Sequence, residues 1–102
     1  AVRLAVEVSP RARRQIEEIN TWWRLNRSDA PELFERELSA CFDVLSRVPG
    51  SGTVFKSKAL RGTRRLLLRK SHYHVYYLIG SAELLVLAVW HAHRGAAPPL
   101  RG

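Results

Sequence analysis

Two histidines and three tyrosines fall within the seven positions Ser71 to Tyr77, SHYHVYY, of a strongly basic chain. Upstream, TRRLLLRK carries Arg64, Arg65, Arg69 and Lys70; downstream, WHAHR adds His91, His93 and Arg94. Guanidinium and ammonium groups hold phosphates and stabilise charge that develops in a transition state, while imidazole or phenol can move a proton. Arg65, His74, His91, His93 and Arg94 could therefore cut RNA without a metal, using its own 2′-hydroxyl as nucleophile. The same surface could equally dock a protein or a nucleic-acid strand without reacting. Paired carboxylates suited to magnesium are missing, which disfavours a two-metal nuclease. Zinc is weakly supported, because His72 and His74 would need His91 or His93 to converge, and neither a cysteine pair nor a carboxylate stands at diagnostic spacing. No metal or other cofactor is expected.

In a β-strand, alternate side chains take opposite faces. Tyr73, Val75 and Tyr77, continuing to Ile79, then read as sheet core, and His72, His74 and Tyr76 as the other face. His74 is open to three readings: a residue of a functional surface, a metal ligand, or a hydrogen-bonded structural group. Arg65 and Arg69 share one phase of their strand and Arg64 takes the other. If the three strands lie side by side, the cations from all of them surround one patch. Cys41 sits on an apolar stripe and reads as core rather than nucleophile. Trp22 and Trp23 point about 100° apart on a helix, so only one can face the core fully. Trp23 fits the stripe, leaving Trp22 to cover a loop or meet a partner. No glycine-rich phosphate loop is present, and no serine has a triad context.

The elements that position these residues follow from periodicity. VRLAVEV, residues 2 to 8, alternates as a half-buried strand. Ser9 and Pro10 form a helix start, and Ala12, Ile16, Ile19 and Trp23 recur at helical spacing, which predicts a helix from 10 to about 26. A second helix follows, with Ser28 or Asp29 as its cap and Glu32 at capping-box spacing. Its stripe is Phe34, Leu38, Cys41, Leu45 and Val48, ending at Pro49 and Gly50. So short a link implies an antiparallel helical hairpin. The span from Gly50 to Gly62 reads as a loop with room for a short strand. Residues 63 to 70, 72 to 79 and 84 to 90 then form an antiparallel meander, the last segment apolar enough to be a central strand. The expectation is an α+β fold in the order β-α-α-β-β-β, helices on one face of the sheet. It forms one domain over residues 1 to 102, with an irregular tail from 95 to 102.

The formal net charge is +8, and its distribution says more than its size. Residues 1–50 carry eight basic and eight acidic side chains; residues 51–102 carry nine basic ones and Glu83 alone. A field of this kind favours an anionic partner, nucleic acid or acidic protein segment. The contact surface expected from the basic half consists of Lys56, Lys58, Arg61, Arg65, Arg69, His72, His74, Tyr76 and Arg94. A solubilising basic surface is the bland alternative. The apolar runs fall far short of the roughly 20 residues of a membrane-spanning helix. A lone cysteine and no signal-peptide pattern fit a cytoplasmic protein.

The order of these elements, with VRLAVEVSPRARRQIEEI, PELFERELSACFDVLSRVPG, KALRGTRRLLLRKSHYHVYYLI and LLVLAVWHAHR, resembles the ParE/RelE toxin superfamily of bacterial type II toxin–antitoxin systems over about residues 2 to 94. The resemblance implies a small toxin held inactive by a cognate antitoxin whose acidic or amphipathic segment wraps around it. RelE-like members cleave messenger RNA on the ribosome with lysines and arginines of the sheet. Arg65 falls where one family lysine is expected and Arg94 near the last-strand arginine. However, Leu67 stands at the next alternate position, and His74 takes the place of a family arginine. ParE-like members poison DNA gyrase instead, and their closing pattern, often RVLHGRR, resembles AVWHAHR, with Ala88 in place of an arginine and His91 and Arg94 retained. The resemblance thus implies a gyrase-directed toxin with no catalytic residues of its own. A ribosome-dependent endoribonuclease is the alternative, and a non-toxic basic protein- or nucleic-acid-binding module the second.

Overall fold

A computed structural model describes residues 3–94 together with Pro98 and Leu100. The expected tail from 95 to 102 therefore lies largely outside the described residues. The chain runs β1 (Ala5–Val8), α1 (Pro10–Asn26), α2 (Leu33–Arg47), a 3-10 turn (Pro49–Ser51), β2 (Thr53–Val54), β3 (Arg64–Leu68), β4 (Tyr73–Ile79) and β5 (Glu83–His91).

Local chemistry explains α1. The Ser9 hydroxyl accepts the Ala12 amide at 3.1 Å, and Pro10 occupies the first turn, where its missing N–H costs nothing. Ala12 and Trp23 are buried and Ile16 and Ile19 pack beside them, while Trp22 remains 47% exposed.

The start of α2 departs from expectation. Neither Ser28 nor Asp29 caps it; the helix begins at Leu33, and Glu32 at its cap makes no side-chain cap bond. Pro31 disfavours helical backbone at Ala30, and the chain instead turns, with the Ala30 and Leu33 amides donating to the Arg27 and Ala30 carbonyls. Phe34, Leu38, Cys41 and Leu45 are buried as the stripe requires. Val48 is 56% exposed, because the helix has ended and its backbone, at φ −132°, turns the residue out of the stripe.

The five strands form one sheet in the order β1-β5-β4-β3-β2. The meander of β3, β4 and β5 is antiparallel, and β1 pairs in parallel with β5, which makes β5 an interior strand. Two apolar clusters cover its faces. The larger joins Phe34, Leu38, Leu45 and Trp23 of the helices to Tyr73, Val75, Tyr77, Val86 and Val89. The smaller, on the other face, gathers Tyr76, Leu87, Ala88 and Leu100 with Phe55, Leu60 and Trp90. Tyr76, expected on the contact surface, is instead buried in this cluster at 2% exposure. A register shift at Tyr76/Tyr77 lets both apolar sets of β5 face inward. Helix α1 and its cap satisfy the backbone there: the Ser9 hydroxyl donates to the Leu87 carbonyl and the Gln15 side-chain oxygen accepts the Val89 amide. Ile79, expected in the core, is 44% exposed where β4 runs out into the Gly80 turn.

Candidate functional site

The basic side chains of the meander divide by strand phase. Leu66 and Leu68 face the helices, so Arg64 shares their side, and its Nη2 donates to the Gly50 and Gly52 carbonyls at 3.2 and 2.9 Å. Arg64 is thus a tie between β3 and the preceding loop. Arg65 takes the opposite side. Its guanidinium carbon lies 5.0 Å from the Phe55 ring centroid, and its Nη1 donates to the Tyr76 hydroxyl at 3.4 Å. His74 is opposite Leu67 in register, with its ring 6.0 Å from that of Tyr76. Arg65, Arg69 and His74 together line a groove of about 510 Å³ whose far wall is the Ser51–Thr53 loop.

That wall is fixed by a close approach. Tyr77 is fully buried, its hydroxyl donating to the Pro49 carbonyl at 2.7 Å and accepting the Gly52 amide at 3.0 Å. A Cβ on Gly52 would sit 2.6 Å from both the Arg65 carbonyl oxygen and the Tyr77 hydroxyl, which is why glycine stands there. Lys56, Lys58 and Arg61 are exposed on the loop that follows.

The remaining cations lie elsewhere, so the single patch expected from the sequence is two. His72 is not in β4; its backbone is left-handed at φ 66°, and the residue belongs to the turn before the strand. Its amide donates to the Leu68 carbonyl and its carbonyl accepts the Ala92 amide, holding the turn against the end of β5. The rings of His72 and His93, and of His91 and His93, have centroids 5.4 Å apart, and His91 meets the Tyr73 ring edge-on at 5.1 Å. Arg94 lies over Trp90, 4.1 Å from the ring centroid. His72, His91 and Arg94 line a second cleft, of about 600 Å³, against Trp22 of α1 and Arg27 at its C-terminal cap. Among the described residues no three His, Cys, Asp or Glu side chains are arranged to hold a metal ion.

Electrostatics differ between the two places. In the groove, burial first and the Arg65 charge second lower the pKa of His74 below the usual histidine value. At the cleft His91 is lowered too, by burial and then by His93, His72 and Arg94. Both imidazoles are thereby biased toward the neutral form. The ion pairs among the described residues, Arg3–Asp43, Arg24–Glu35, Arg36–Glu32 and Arg47–Asp43, all lie in the first half of the chain. The basic half keeps a large excess of positive charge, with the Glu37 carboxylate of α2 facing Lys70 alone of its cations named above.

Sequence reasoning missed Glu37. Its carboxylate accepts the Lys70 amide at 2.8 Å, the Ser71 amide at 2.9 Å and the Ser71 hydroxyl at 2.6 Å, anchoring the β3–β4 turn that carries His72 to α2. A glutamate on a charged helix flank gives no local signal of such a partner. Cys41 lies nearby in the core, and burial, with Glu37 adding to it, pushes its thiol up to about 12.

Comparison with known proteins adds three findings. Residues 6–95 match the family described as ParE toxin of type II toxin–antitoxin system, parDE. A search of curated proteins returned no match. Among solved structures, a chain from "Chromosomal ParDE TA system from P. aeruginosa" superposes with a TM-score of 0.72 at 13% identity, over 88% of this chain and 97% of that one. At that identity the likeness speaks for the fold.

Proposed function

Because this chain belongs to the family of ParE toxins of type II toxin–antitoxin systems, we propose that it arrests growth by poisoning DNA gyrase and is silenced by a cognate antitoxin. The observation that carries this reading is the division of the cationic and imidazole groups between the Arg65–His74 groove and the His91–Arg94 cleft. Cleaving RNA through its 2′-hydroxyl calls for a proton acceptor and a proton donor on either side of one phosphate. The groove offers one imidazole, His74, and its neighbouring phenol, Tyr76, is buried, while the imidazoles of His72 and His91 lie at the cleft, apart from Arg65 and Arg69. Such a surface favours holding a partner over breaking a bond in it. The closing segment AVWHAHR, with its likeness to gyrase-directed members, points the same way.

The excess of positive charge in the basic half supplies what antitoxin and target recognition need. An acidic antitoxin segment would be drawn to Lys56, Lys58, Arg61, Arg65 and Arg69, with His74 beside them and Tyr76 supporting Arg65 from below, whereas His72 and Arg94 lie at the separate cleft. Among the described residues no helix is long and apolar enough to cross a membrane. The proposed site of action is the cytoplasm, where gyrase works. Gyrase supercoiling and ribosome-programmed mRNA cleavage, run in parallel with the purified chain, test the reading: inhibition in the first alone supports it, and activity in the second alone replaces it with the ribonuclease.

A further inference from the structure

The cleft between α1, the start of β4 and the end of β5 is separate from the Arg65 groove and differs from it in chemistry. Its walls are aromatic: Trp22, 47% exposed, with Trp23, Tyr73 and Trp90. Its charges are cationic and already ordered. The Arg27 guanidinium sits 5.9 and 5.3 Å from the Trp22 and Trp23 ring centroids, and Arg94 lies 4.1 Å from that of Trp90. The imidazoles of His72 and His91 line the same space, with His93 in contact with both rings. Glu18 is the one carboxylate on the lining.

A flat π surface beside clustered cations suits a ligand that is itself part flat ring and part anion. We propose that this cleft binds an adenine nucleotide, its base stacked on the partly exposed Trp22 ring and its phosphate held by Arg94 and the His72–His91 imidazoles. Base stacking on tryptophan tolerates an exposed platform, and a planar guanidinium matches phosphate oxygens in a paired hydrogen-bond geometry. Glu18 provides an acceptor for the exocyclic amine of adenine. The volume of about 600 Å³ lies within the range of small-ligand pockets. Beyond Val86, where its pairing with β1 ends, the β5 backbone is met on that side by side chains instead, the Ser9 hydroxyl on the Leu87 carbonyl and Gln15 on the Val89 amide, so an extended peptide would have to displace them to pair here. The groove at Arg65 lacks the aromatic platform, so the two surfaces are chemically distinct.

The same chemistry is presented by a free nucleotide and by the 5′-phosphorylated end of a strand. Isothermal titration of the full chain with AMP, adenosine and inorganic phosphate, backed by tryptophan fluorescence, measures binding. AMP is expected to bind saturably, with adenosine and phosphate each roughly tenfold weaker or more, since each keeps only one part of the recognition. Trp22→Ala and Arg94→Gln should each weaken AMP roughly tenfold, whereas Arg65→Gln, in the other groove, should leave it unchanged. Trp22 is exposed, so its removal spares the core. Displacement of AMP by a 5′-phosphorylated oligonucleotide, but not by its unphosphorylated form, assigns a strand end; failure of both to displace it assigns the free nucleotide. The proposal is overturned if AMP shows no saturable binding up to ~5 mM, if phosphate alone binds as tightly, or if Arg65→Gln abolishes binding. It is also overturned if hexaglutamate binds with Arg94 dependence where AMP does not, which would make the cleft a peptide site.

Discussion

The Glu37 carboxylate takes both the amide and the hydroxyl of Ser71, at 2.9 and 2.6 Å, and so fastens the turn before β4 to the middle of α2. Burial alone would raise the pKa of Glu37, but the Ser71 hydroxyl, the Lys70 and Ser71 amides and the Lys70 charge together bring it below the usual carboxylate value. A carboxylate lowered in the folded state adds stability above its unfolded pKa and withdraws it as the pH falls through the folded one. Glu37→Ala should cost about 1–2 kcal/mol in urea unfolding at pH 7. Its deficit should shrink below about pH 4, as the wild-type carboxylate takes up its proton. An unchanged unfolding midpoint at pH 7 would remove the latch from the fold's energetics.

Tyr77→Phe deletes the hydroxyl that bridges the Pro49 carbonyl and the Gly52 amide. Both groups lose a partner inside the protein, so the expected loss is about 1–3 kcal/mol, read from chemical denaturation. The groove wall at Ser51–Thr53 should loosen with it, visible as faster amide exchange at Gly52. Protection equal to wild type would show that the wall is held by other contacts.

His74 and His91 should titrate below the ordinary histidine range in NMR chemical-shift profiles. Since each takes a proton more readily in the unfolded chain, both make folding less favourable as the pH drops below about 6.5. Arg65→Gln removes the second cause of the shift at His74 and should move that titration upward, leaving His91 in place. A His74 midpoint that does not move would separate the two side chains electrically.

Cys41, at 5% exposure and with its thiol pushed up to about 12, should be inert to disulfide-exchange reagents in the native chain and react on unfolding. Prompt labelling at neutral pH would contradict its place in the core.

Much of this was legible because it is local. Ser9 and Pro10 announce α1, the period of Phe34, Leu38, Cys41 and Leu45 announces α2, and the apolar run of β5 announces an interior strand. What stayed hidden depends on contacts distant in the chain. The left-handed backbone of His72 removes it from the alternation that would put it on the His74 face, and no neighbour in sequence signals this. The bulge at Tyr76/Tyr77 depends on how β4 meets β5, and the second apolar cluster depends on Phe55, Leu60 and Leu100 arriving from separate segments. For the same reason the basic residues could be named, but their separation into a groove and a cleft could not.

Arg65→Gln and Arg69→Gln should each weaken association with an acidic antitoxin several-fold at low salt. The difference should fade toward ~1 M salt, where screening acts within about 3 Å. Equal affinities at low salt would move the contact surface away from this groove.

The decisive measurement is a supercoiling reaction with purified gyrase, quenched with detergent to count DNA trapped in its cleaved, enzyme-linked form as this chain is added. Trapped cleavage complexes that rise with toxin concentration and disappear when its antitoxin is present are expected. Unaffected supercoiling with no trapped DNA, alongside cleavage of mRNA on programmed ribosomes, would contradict it.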